Sequence, residues 1–143
     1  MHDVDPASKA PQLGFFYCAR STAEPERAKP VDIMGALLRQ VTSSKPDLPI
    51  KECVAKEYEI RRRKADEDCS ALKKLTVEDC TRLITEVAKE TPVTIIIDAL
   101  DECEEDKRYQ LLEALDYLIN HSLELVKVFI SSRDDIDLVS TSF

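Results

Sequence analysis

The chain has 143 residues, 43% of them hydrophobic, enough for one packed domain or part of a larger one. Its net charge of -8, within a 34% charged composition, excludes a broad nucleic-acid or acidic-membrane surface, because both require clustered Lys and Arg. No apolar run approaches the ~20 residues of a bilayer span, and the start, with Asp3, Asp5, Pro6 and Pro11, lacks the apolar stretch of a signal peptide.

Residues 1–12 read as a loose polar lead-in to a domain over 13–143. Leu13 to Ala19 is a short apolar and aromatic run with the length and composition of a buried strand. Pro25, Pro30 and the charges between them mark a loop. Pro30 suits a first helical position, and Met34, Leu37, Leu38 and Val41 repeat at helical spacing, predicting a helix over about 31–42. Pro46 and Pro49 interrupt the next stretch. A second helix from Pro49 places Ile50, Cys53, Val54 and Tyr58 on one face and then turns very polar. Its basic run, Arg61 to Lys64, is followed at once by Asp66, Glu67 and Asp68, so it reads as a solvated face with local ion pairs.

Thr76 and Asp79 form a capping-box pattern before Cys80, Leu83, Ile84, Val87 and Ala88, which share a helical face. Pro92 stands at or beyond the end of that helix. Val93 to Ile97 is a continuous β-branched run, which suggests a strand covered on both faces, as in a parallel sheet. Leu111, Leu112, Leu115, Leu118 and Ile119 define the clearest helix, and Val126 to Ile130 a third strand. The order strand, helices, strand, helix, strand predicts right-handed parallel crossovers and an α/β layered fold, with strands at about 13–19, 92–98 and 126–131.

The five cysteines, at 18, 53, 69, 80 and 103, form no CxxC pair and read as reduced cytoplasmic thiols, several of them buried. There are two glycines, Gly14 and Gly35, where an average composition gives about 7%. Neither lies in GxxxxGK[ST] or GxGxxG, so the sequence contains no glycine-rich phosphate cradle of the usual kind.

The chemistry concentrates at Asp98, Asp101 and Glu102. A hydrophobic strand delivers Asp98 at its carboxyl end, the edge where open parallel sheets bind ligands. A carboxylate there can hold Mg²⁺ directly or through water, and Asp101 or Glu102 can orient a water toward a phosphate. A second reading makes Asp98 a loop-starting residue and assigns Asp101 and Glu102 to the positive N-terminus of the next helix. The two-residue gap between Asp98 and Asp101 excludes a DxD-type phosphatase. Nothing supplies a nucleophile with an adjacent base, which argues against a stand-alone phosphotransfer enzyme of another class. Arg133, taken alone, reads as a surface ion pair with Asp134 or Asp135.

The segment Thr94-Ile95-Ile96-Ile97-Asp98-Ala99-Leu100-Asp101-Glu102-Cys103 resembles the Walker B segment of NACHT domains in the STAND P-loop NTPases, particularly the fungal NLR-like, nephrocystin-like N-terminal class. Lys127 to Asp134 resembles their sensor 1 strand, and Phe15 to Ser21 the strand that follows the P-loop helix. The resemblance covers most of residues 13–140. It implies a three-layer P-loop NTPase-like parallel sheet flanked by helices, here incomplete, with these three strands as neighbours and the acidic strand in the middle. It implies Mg²⁺ at Asp98, catalytic roles for Asp101 and Glu102, and γ-phosphate sensing by Arg133. It further implies ATP or GTP as ligand, protein partners or self-association, and a cytoplasmic signalling switch of the innate-immunity or heterokaryon-incompatibility type.

The departures are equally specific. Nothing in residues 1–12 supplies the family's P-loop, since Lys9 follows Ser8 and Ala7 with no glycine nearby. Neither His2 nor His121 fits the phosphate-contacting His of the later winged-helix portion. The chain by itself is therefore expected to lack NTPase activity. The alternative reading is a non-catalytic interaction module derived from such a domain.

Overall fold

The computed structural model describes residues 12–42, 52–71, 74–122 and 126–132. Three parallel strands, β1 (Gln12–Tyr17), β2 (Val93–Asp98) and β3 (Val126–Ile130), lie in the order β1-β2-β3. The acidic strand is in the middle, as expected. Gln12 pairs with Val93 and Tyr17 with Asp98 on one side, and Val93 pairs with Val126 and Ile97 with Ile130 on the other. Among the described residues four α-helices connect or flank them: α1 (Pro30–Thr42), α2 (Glu52–Glu67), α3 (Val77–Ala88) and α4 (Arg108–His121). The predicted α/β class and parallel sheet flanked by helices are both present.

Each element follows from its residues. Pro30 occupies the first position of α1, and Ile33, Met34, Leu37, Leu38 and Val41 bury one face of that helix. The capping box of α3 is formed in full. Asp79 donates its backbone N–H to the Thr76 hydroxyl at 3.1 Å, and the Thr76 N–H donates to the Asp79 carboxylate at 3.0 Å. From there Cys80, Leu83, Ile84, Val87 and Ala88 enter the core. Helix α4 contributes Leu111, Ala114, Leu115 and Leu118.

One expectation is corrected. The unbroken β-branched run in β2 suggested cover on both faces, but the described helices lie on one. Val93, Ile95 and Ile97 are buried beneath them, whereas Thr94 and Ile96 are half-buried on the other face, beside exposed Leu13, Phe15, Tyr17 and Phe129. β-branched residues suit a pleated surface whether or not a layer covers it, so the run reports strand formation more faithfully than two-sided burial. The first strand also begins one residue earlier than predicted and ends at Tyr17. The loose lead-in over residues 1–11, the start of a helix at Pro49 and the burial of Ile50, Cys53 and Val54 lie outside the described residues.

The basic run sits on exposed α2, as its mixed charge predicted. Arg61 bridges Glu57 on its own helix, at 2.7 Å, and Asp79 on α3, at 2.8 Å, while Arg82 of α3 reaches Glu57 at 2.9 Å. The hydrogen bond from Arg82, helped by Arg61, holds the Glu57 carboxyl below its ordinary value of 4.5 despite partial burial. Burial raises Asp79, but the bonds from Thr76 and the nearby arginines outweigh it and the net shift is downward. A depressed carboxylate contributes stability above its unfolded pKa and loses it as pH falls through the folded value. Docking of α2 on α3 is therefore expected to weaken as pH drops below about 4.5, the ordinary Glu value. Urea midpoints between pH 7 and 3 should fall more steeply for the wild type than for Glu57→Gln. Equal slopes would remove the network from the account.

Candidate functional site at the carboxyl edge of the sheet

Strand β2 carries Asp98 to the carboxyl edge and stops there because the next residue leaves the sheet. Ala99 takes the left-handed conformation, with φ 60° and ψ 48°. A non-glycine residue pays for that geometry with roughly 1–2 kcal/mol, so the surrounding bonds must hold it. Ser131, just past β3, provides them. Its backbone N–H donates to the Ile97 carbonyl and its own carbonyl accepts the Leu100 N–H, both at 2.9 Å. Its hydroxyl accepts the Ala99 N–H at 3.2 Å and donates to the Asp98 carboxylate.

The chain then makes a single 3-10 turn, Leu100–Glu102, whose Leu100 side chain is fully buried. Two guanidinium groups grip this turn from either side. Arg20, beyond β1, and Arg108, at the start of α4, both donate to the Asp101 carbonyl at 3.1 Å, and Arg108 also reaches the Cys103 carbonyl at 3.1 Å. Arg20 Nε lies 3.7 Å from the Glu102 carboxylate.

Asp98, Asp101 and Glu102 are thus brought to one edge, though not equivalently. Asp98 and Glu102 are half-buried and reachable, whereas Asp101 is only 6% exposed. Arg133 lies outside the described residues. Asp101 and Glu102 stand in the first turn of the 3-10 element that follows β2, and not at the N-terminus of α4, which begins at Arg108 with no acid in its first turn. Arg20 and Ser131 are site residues that sequence reasoning missed. Both stand inside the quoted segments, but a charge after a strand and a serine before an arginine are ordinary surface features until the fold sets them beside the acids.

The thiols here, Cys18 and Cys103, are free and buried. Burial pushes Cys18 up to about 12, with the nearby Cys103, Asp101 and Asp98 adding to it, and burial pushes Cys103 up to about 11. Among the described residues, no three or more of His, Cys, Asp and Glu converge on a metal position. The oxygen donors that do meet, the Asp98 carboxylate and the Ser131 hydroxyl, suit a hard cation. Mg²⁺ typically takes one or two carboxylates and completes its shell with water and phosphate oxygens. A groove of about 750 Å³ lies elsewhere, between α3 and α4, lined by Leu75, Thr81, Tyr109, Ala114 and Tyr117 among others. It brings none of the acids together.

An acid-tipped middle strand in a parallel sheet flanked by helices, followed by a strained turn clamped from the neighbouring strand, is consistent with part of a P-loop-like α/β fold. The chain matches the family described as nephrocystin 3, N-terminal, over residues 2–133, and it belongs to that NACHT-related family. No curated protein and no solved structure matches it. Among the described residues no helix is long and apolar enough to cross a membrane.

Proposed function

We propose that this chain is the Walker B and sensor 1 part of a NACHT-type signalling NTPase of the STAND class, fungal and NLR-like, working in the cytoplasm as an ATP- or GTP-dependent switch. The observation that carries this reading is Asp98 at the carboxyl end of the central strand, fixed by Ser131 and followed by the Ala99 turn. When bound, Mg²⁺ would offset phosphate charge at Asp98. The residues of this chain do the positioning. Ser131 fixes the Asp98 rotamer through its hydroxyl, leaving the second carboxylate oxygen available. Glu102, turned outward beside Arg20, is the better placed of the two following acids to orient a water, and buried Asp101 anchors the turn. Arg133 is proposed to meet the γ-phosphate, for which a planar guanidinium is well suited.

By itself this chain is proposed neither to bind ATP tightly nor to hydrolyse it. Triphosphate binding calls for backbone N–H groups and a lysine around the phosphates, whereas carboxylates alone repel them. Titration calorimetry with ATP and Mg²⁺ checks this, and the expected result is no saturable heat. Saturable binding that disappears in Asp98→Ala would mean that another segment here replaces the cradle. A second reading, a non-catalytic interaction module, is favoured by the open sheet face carrying Leu13, Phe15, Tyr17 and Phe129.

A further inference from the structure

The two edges of the sheet are built differently. On β1, one side chain takes both outward backbone groups of Phe15: its N–H donates to Gln40 Oε1 and its carbonyl accepts from Gln40 Nε2, each at 2.8 Å. The Tyr17 carbonyl accepts from Arg27 at 3.1 Å. A carboxamide here imitates a neighbouring strand and closes the edge to another chain.

Strand β3 has no such cover among the described residues. Ser131 donates to the Ile97 carbonyl while Ile97 stands in register with Ile130, so Phe129 and Ser131 turn their backbone groups toward β2. Val128 and Ile130 therefore turn theirs outward, and β3 pairs with no other described strand. Lys127 and Phe129 stand on the open face, Phe129 57% exposed.

We propose that a second copy of this chain pairs with the β3 edge, antiparallel about a twofold axis at Val128, giving one sheet continuous across both copies. The strand is self-complementary in charge as well as in hydrogen bonding. With Val128 opposite its own copy, the outward groups of Val126 and Ile130 meet each other across the axis. On the open face Lys127 stands opposite the partner subunit's Phe129 rather than opposite another lysine, and this contact is made twice. Like charges directly opposed would destabilise such a pair, whereas an ammonium beside an aromatic ring favours it. The arrangement is closed, because twofold pairing uses both β3 edges and Gln40 guards the β1 edge on either side. It is independent of nucleotide chemistry. The net charge of -8 on each copy opposes association, so the dimer should tighten as salt rises.

Sedimentation of the whole chain over a wide concentration range tests the pairing, and a monomer–dimer equilibrium is expected. Phe129→Lys sets lysine against lysine at two symmetric contacts and should raise the dissociation constant by about tenfold or more. Adding Lys127→Glu to it should restore association, because glutamate then faces lysine. Both positions are exposed, and far-UV circular dichroism checks that the variants stay folded. A wild-type monomer, open-ended growth, an inert Phe129→Lys or a double variant that stays weak would each overturn the proposal.

Discussion

Leu100→Ala is expected to lower the unfolding free energy by about 2–5 kcal/mol, the range for deleting a buried leucine side chain with partial collapse of the cavity. Leu100 is fully buried, and it is the side chain by which the acidic turn is rooted in the core. Its neighbours on either side, Asp98 with Ala99 and Asp101, are held by hydrogen bonds to Ser131, Arg20 and Arg108. Those bonds individually contribute about 0.5–1.5 kcal/mol net, up to about 3 where a charged group takes part. They cannot replace the lost packing. Against a typical total of about 5–15 kcal/mol, the loss leaves a marginal protein. Urea unfolding should show a lower midpoint with an unchanged slope. A loss below about 1 kcal/mol would mean that the hydrogen-bonded clamp, and not the core, seats the turn.

Gly14→Val is expected to destabilise by about 1–3 kcal/mol through overpacking. Helix α1 crosses β1 so closely that a Cβ at residue 14 would lie 3.1 Å from Leu37 Cδ2 and 3.3 Å from Val41 Cγ1. Valine adds two more methyl groups to that space. The diagnostic measurement is a double-mutant cycle with Leu37→Ala. Shortening Leu37 makes room, so the two changes together should cost less than their sum, with a coupling of about 0.5–3 kcal/mol. Simple additivity would show that the helix backs away from the strand instead. The other glycine behaves oppositely. A Cβ at Gly35 meets nothing nearer than Arg39 Nη1 at 3.7 Å, so Gly35→Ala in the middle of α1 should gain about 1 kcal/mol from helix propensity.

These two glycines show where a sequence is readable and where it is not. Their scarcity was informative at once, because a phosphate cradle needs several. That Gly14 is a contact between strand and helix, however, depends on residues more than twenty positions away. The same division runs through the site. The apolar run ending at Asp98, the helical spacing from Leu111 to Leu118 and the Thr76–Asp79 cap are local patterns, and local physics placed them correctly. Arg20 and Ser131 belong to the site only because parallel pairing brings the ends of β1 and β3 to the end of β2. Ala99 gives no warning, since the residue expected in a left-handed position is glycine. That the described helices cover one face of the sheet was hidden for a related reason, as β-branched residues report a strand and not what lies over it.

The register of the two ladders also orders the assembly of the molecule in time. Pairing Val93 with Val126 spans 33 positions and runs through α4, whereas pairing Gln12 with Val93 spans 81. Closing the longer loop costs about 0.8 kcal/mol more in chain entropy, before the intervening helices have formed any contact that could offset it. The β2–α4–β3 unit, which contains the acidic turn and its Ser131 clamp, is therefore the half of the protein that can condense early. Strand β1, whose pairing closes the longer loop, is expected to join later and to bring Arg20 to a turn already made.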